Sequence, residues 1–113
     1  MKKVDTIDIV ELTKMAEKMY GNLVKGVVDI EKDILVLDAE MHVDEEQFLL
    51  EQGSSQNDLG GINLYPANFG EEDFVEFDYM VNIRPRQQNM SRHVDSPEIQ
   101  QKIIKIVSER VKP

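Results

Sequence analysis

The chain of 113 residues contains no cysteine. Disulfides, thiolate zinc sites and cysteine nucleophiles are therefore excluded. It has no apolar run approaching the roughly 20 residues that a membrane-spanning helix needs, so no membrane partner is expected. The first residues, Met1-Lys2-Lys3-Val4-Asp5, lack the apolar stretch of a secretory signal, and the expected location is cytoplasmic. Positive charge is also in short supply. Thirteen Lys and Arg face 22 Asp and Glu, a net charge of -9, which argues against nucleic acid as a partner. No glycine-rich phosphate loop is present, since Gly60-Gly61 reads as an ordinary turn. Ser54, Ser55, Ser91, Ser96 and Ser108 stand outside any nucleophile-elbow context. Nothing calls for a cofactor.

What remains is an acidic chain with 41% hydrophobic residues, long enough for one packed core, so a single domain is expected over residues 1–113. Three places share a helix-start grammar. Asp8 with Glu11, Asp44 with Gln47, and Asp95 with Glu98 each form a capping box, flanked by the staples Ile7/Leu12, Val43/Phe48 and Val94/Ile99. Ser96 is a rival third cap, because it would put Pro97 at the first helical position. With Gly21 and Gly53 as stops, the expected helices run over about 9–20, 45–52 and 97–111. Leu12, Met15, Ala16 and Met19 form the stripe of the first, and Ile99, Ile103, Ile106 and Val107 that of the third.

Between them lie β-rich runs. Val24–Ile30 and Ile34–His42, joined by Glu31-Lys32-Asp33, read as a hairpin with Asp33 in the left-handed position. Ile62–Tyr65 and Phe74–Ile83 read as two further strands, each ended by a proline. Gly53–Gly61 reads as a mobile loop. The alternation of apolar and polar residues indicates an antiparallel sheet with one packed face. The expected fold is α+β: a two-layer sandwich of a four-stranded, mainly antiparallel sheet with three helices on one face, in the order α-β-β-α-β-β-α.

The opposite face would then carry Glu40, His42, Asn63, Tyr65, Glu76, Asp78, Asn82 and Arg84. Such a set can bind a polar ligand, act as a solvated face or, with Val36 and Met80, seat a second copy. His42-x-Asp44 with His93 comes nearest to a two-histidine, one-carboxylate triad. Asp44 is already assigned to a cap, however, and Arg92 beside His93 repels a cation, so no metal is expected. The segment 84–93 concentrates three of the four arginines and one of the two histidines before the third helix. Guanidinium forks suit carboxylates and phosphates, unless Arg84 and Arg92 pair with the chain's own acids.

Asp29-Ile30-Glu31, His42-Val43-Asp44-Glu45-Glu46, Gly61-Ile62-Asn63-Leu64-Tyr65-Pro66 and Asn82-Ile83-Arg84-Pro85 occur here in order. They are followed by Asn89, Ser91-Arg92 and Ser96-Pro97-Glu98-Ile99. Across about residues 7–111 this pattern resembles a family of small bacterial and archaeal proteins known only as a domain of unknown function. The resemblance implies no activity, cofactor or catalytic residue.

Three functions follow from the residues. The first is a binding module for a small anionic or polar ligand, using Arg84, Arg92, Asn63, Asn82, Asn89, Glu40 and His42. The second is a protein-interaction or self-associating module, such as a homodimer, built on the uncovered sheet face. The third is an enzyme with Glu40 and His42 as an acid–base pair.

Overall fold

The computed structural model describes residues 2–83, 89 and 91–113. Its elements in chain order are β1 (Lys2–Lys3), β2 (Ile7–Asp8), α1 (Ile9–Lys18), β3 (Val24–Asp29), β4 (Ile34–Leu37), α2 (His42–Glu51), β5 (Leu59–Leu64), β6 (Val75–Phe77), α3 (Pro97–Arg110) and β7 (Val111–Lys112). Single 3-10 turns occupy 56–58, 66–68, 72–74 and 80–82. The protein is α+β; among the described residues there are three helices and a sheet of five strands in the order β1-β4-β3-β5-β6. Every pairing in that sheet is antiparallel. A separate parallel pair joins β2 to β7, with Ile7 opposite Val111 and Asp8 opposite Lys112. The three two-residue strands are too short to leave a periodic signal: β1 enlarges the expected four-stranded sheet to five, and β2 and β7 form the separate pair, which together alter the expected element order.

Local chemistry explains the well-read parts. The Asp8 carboxylate accepts from the Glu11 N–H at 2.8 Å, satisfying an orphan donor of α1. Beyond its end, Gly21 takes φ +88 and its N–H bonds the Ala16 carbonyl at 2.6 Å, a left-handed stop that a side chain would strain. Asp33 takes φ +60 in the β3–β4 turn, as its sequence position suggests. At α3 the rival cap prevails: the Ser96 hydroxyl accepts from the Ile99 N–H, with Pro97 at the first position. Asp95 instead sits one residue outside the helix.

Other expected boundaries are corrected. The second strand stops at Leu37, five residues short of His42, because Asp38 turns to φ +67. α2 therefore begins at His42 and not near residue 45, with Met41 as its cap and Asp44 inside the first turn. There the negative charge still favours the helix dipole. The third strand is longer than expected and includes Gly60 and Gly61. A Cβ at Gly60 would lie 3.0 Å from Ile103 of α3 and one at Gly61 2.1 Å from Tyr79, so these glycines mark close approaches of side chains to the two faces of the strand. The expected mobile loop 53–61 is also tied down: Ser54 Oγ donates to the buried Asp29 carboxylate at 2.6 Å. The fourth strand ends at Phe77 instead of Ile83.

The layering differs too. Val24 and Val28 of β3, Leu35 and Leu37 of β4, and Ile62 and Leu64 of β5 share one core with Leu12, Met15 and Ala16 of α1 and Ile103, Ile106 and Val107 of α3. Val27, Val36 and Leu59 point the other way and pack against Leu49 of α2. Only two helices therefore cover the first face. The third, α2, lies across the face expected to be open.

Candidate functional site

Of the sequence-predicted site residues, His42 and Asn63 come together on the α2 side of the sheet, while Glu40, Asn89 and Arg92 lie apart from them. The inward stripe of α2 is His42, Glu45, Glu46 and Leu49, three polar groups and one apolar. His42 Nε2 lies 2.8 Å from the Ile62 carbonyl oxygen, so Nε2 is the protonated nitrogen in the neutral ring. Its ring stacks on Tyr79, with centroids 4.6 Å apart. Burial holds the imidazole below its ordinary pKa; Lys25 adds to this, while the Ile62 carbonyl, Asp78 and Asn63 oppose it. Tyr79 Oη donates to Glu46 Oε1 at 2.8 Å, and Gln56 Nε2 to Glu46 Oε2 at 2.9 Å. Burial raises the Tyr79 hydroxyl well above its ordinary value, and the Glu46 bond raises it further.

Glu45 is fully buried, and neither carboxyl oxygen has a hydrogen-bond partner of ordinary geometry. Burial pushes its pKa up to about 10, against the weaker pull of the Ala39 amide. The side chain is thus a neutral acid at pH 7.

Asn63 lies beside this cluster, its Nδ2 donating to Glu76 Oε1 at 2.8 Å. The Tyr65 hydroxyl bonds the same oxygen at 2.9 Å. Asn63, Tyr65 and Glu76 therefore share a face, as the alternation predicts. Asn82 is buried and serves the backbone: Oδ1 accepts from Gly61 N–H at 2.8 Å, while Nδ2 donates to the Gly61 and Arg92 carbonyls at 3.0 and 2.7 Å. Its carboxamide replaces a strand neighbour where β6 has already ended. Asn89 Nδ2 bonds the carbonyls of Asn82, Ser91 and His93, and its Oδ1 accepts from Asp95 N–H. The two asparagines thus act as fasteners of the segment leading to α3.

Arg92 holds Asp78 in a fork, Nε and Nη2 donating at 2.8 and 2.9 Å. This is the internal pairing that the sequence left as an alternative to anion binding. Arg84 lies outside the described residues. Glu40 is exposed, its carbonyl accepting from the Tyr20 hydroxyl. No hydrogen bond joins it to His42, whose ring turns towards the sheet. His93 lies edge-on to Phe77, at 5.7 Å. Among the described residues no group of three or more His, Asp or Glu could hold a metal ion.

Sequence reasoning missed the outer edge of β6, the last strand of the sheet. The Tyr65 N–H bonds the Phe74 carbonyl at 2.9 Å. Alternation along an antiparallel pair then directs the N–H and C=O of Val75 and Phe77 away from β5. Two clefts meet at this edge. One, of about 510 Å³, is bounded by Tyr65, Glu72, Asp73, Glu76 and His93. The other, of about 530 Å³, runs along α3 between Phe69, Phe74, Ile104 and Val107. Glu72 and Val75 border both. No described lysine or arginine lines either cleft. The acid–apolar alternation of Asp73-Phe74-Val75-Glu76-Phe77-Asp78 was the signal available, but it does not say that the strand ends the sheet.

The family model described as a protein of unknown function (DUF5674) matches residues 3–110, and the chain belongs to that family. No curated protein matches the chain, and no solved structure does. No described helix is long and apolar enough to cross a membrane.

Proposed function

We propose that this member of DUF5674 is an interaction module that receives an extended peptide segment as an added strand beside β6. The feature that carries this reading is the backbone of half-buried Val75, directed outward by strand alternation between two clefts; beyond it Phe77 is buried against His93, and the next outward N–H, that of Tyr79, already bonds the Arg92 carbonyl at 3.1 Å. A strand edge of this kind offers main-chain hydrogen bonds to a partner, and pockets beside it select alternate side chains. The docking element is thus the sheet's edge and not its face, which α2 largely occupies.

The anionic-ligand reading has less support. Among its described donors, Arg92 is neutralised by Asp78, the amides of Asn82 and Asn89 are engaged by backbone, and Asn63 Nδ2 donates to Glu76, leaving only its buried Oδ1, an acceptor, without a partner. The acid–base reading lacks a Glu40–His42 contact. A second reading, a small ligand in the groove along α3, draws support from that groove's volume, which falls within the usual range of such sites.

Hydrogen exchange separates these readings. Extended peptides selected for binding should slow exchange at the Val75 amide. Protection confined to α3 and Phe69 would favour the small-ligand groove. Protection confined to α2 would refute both.

A further inference from the structure

We infer that α2 is a hinged cover: it lifts from the sheet as a unit while the rest of the fold stays closed, and so uncovers Val27, Val36 and Leu59. All three are fully buried beneath it. The helix is bracketed by two left-handed residues, Asp38 at φ +67 and Gly53 at φ +96. A few residues at element ends, placed like these, absorb the change in φ and ψ when a segment swings.

The hold on α2 is weak beside that on the other helices. α1 and α3 each bury three apolar residues and carry a side-chain cap. α2 buries one, Leu49, with Phe48 and Leu50 partly buried at its margin, and it has no side-chain cap. The rest of its inward stripe is polar. His42 bonds the Ile62 carbonyl, and Glu46 bonds Tyr79 and Gln56; water can replace these bonds once the helix lifts. Glu45 is buried without a partner of ordinary geometry, so opening relieves a desolvated group.

Two titrations give the cover its pH response. Glu45 faces Lys25 of β3 and the amino-terminal charge, which favour its ionisation, and Asp44, which opposes it; burial outweighs them all. Once lifted, the carboxyl ionises at its ordinary value, so opening releases a proton. His42 faces Lys25, Asp78, Asn63 and the ring of Tyr79, and burial keeps the closed imidazole below its ordinary 6.5. Opening below that pH therefore takes a proton up. The Tyr79 hydroxyl, raised by burial and by Glu46, Glu45 and Asp44, stays neutral throughout. Above pH 6.5 the release from Glu45 dominates, and the open population should rise about tenfold per pH unit. Below it the two exchanges oppose each other and the profile flattens.

The chain has no cysteine, so a single introduced thiol reports one position. Val36→Cys lies under α2, and Val28→Cys faces the main core. Labelling rates are corrected at each pH against the same variant unfolded, because the thiolate is the reacting form. At pH 8 the thiol at 36 should react about tenfold faster or more than that at 28. Low urea should hasten it less, since a local opening exposes less surface than unfolding does. Between pH 7 and 9 its rate should rise about tenfold per unit, and Glu45→Gln should remove that rise. Amide exchange of the unsubstituted protein reads the same event without a variant: residues 46–51 should exchange through one opening, ahead of β3 and β5. Equal labelling rates at 36 and 28, or α2 amides that exchange together with those of β3 and β5, would overturn the inference. A faster rate at 36 that stays flat with pH would overturn the part assigned to Glu45.

Discussion

Replacing Glu45 by glutamine should stabilise the protein at neutral pH and flatten its pH dependence. In the unfolded chain this carboxyl titrates near 4.5, and in the folded protein near 10. Between those values the folded state holds a proton that the unfolded state has released. The stability associated with Glu45 is therefore complete below pH 4.5 and is lost progressively as pH rises towards 10. The slope is about 1.4 kcal/mol per pH unit, so the loss between pH 5 and 7 comes to roughly 2.5 kcal/mol. Glutamine has nearly the same shape and does not titrate, so in that variant the term vanishes. Urea unfolding of both proteins at pH 5, 6, 7 and 8 measures it directly. The gap between the curves should widen with pH, with little change in the denaturant slope. Parallel stability profiles would show that Glu45 ionises in the folded protein, and the account of its burial would fail. A methionine at the same position also removes the two unpartnered oxygens, so it should stabilise by a further ~1 kcal/mol or more if it packs without strain.

Asn82→Ala removes three hydrogen bonds to buried backbone and should cost about 2–4 kcal/mol in thermal or urea unfolding. Gly61→Ala sets a Cβ against Tyr79; it should displace the ring from His42, visible as a shift of the His42 imidazole resonances, and cost about 1–3 kcal/mol. Arg92→Ala breaks an exposed pair and should cost no more than about 1 kcal/mol, less in high salt. Ser96→Ala should lower stability by about 1 kcal/mol through loss of the α3 cap, whereas Asp95→Ala should do much less; equal losses would mean that the two share the capping role.

Features governed by neighbouring residues were legible in the sequence. Asp8 and Glu11, Gly21 and Asp33 act through contacts a few residues away, and their geometry follows from spacing. Ser96 against Asp95 was a choice between two local solutions, and the proline at the first helical position marks the one adopted. Features set by distant packing were not legible. Val27 and Val28 are equally apolar, so the sequence does not reveal that they serve two different cores. His42 continues the alternation of β4, yet the positive φ of Asp38 ends that strand and delivers the ring to α2. The candidate residues were correctly drawn together on one side in the case of Asn63, Tyr65 and Glu76. The roles of Asn82 and Asn89 depend on carbonyls brought near by the chain's path, which no spacing encodes. The β6 edge was hidden for the same reason, since being last in a sheet is a property of the whole arrangement.

The pairing of Ile7 with Val111 and Asp8 with Lys112 has a consequence for synthesis. These strands lie about a hundred residues apart, so joining them closes a very large loop. The hairpin of β3 and β4 can form while the ribosome is still translating, because its contacts are local. The β2–β7 seam cannot form until residue 112 has left the exit tunnel. Until then α1 lacks the partner that anchors its leading end, and α3 has not closed over the apolar side of the sheet. The seam is therefore among the last contacts to form, and before it the nascent chain exposes the surface that α3 will cover, where chaperones can bind.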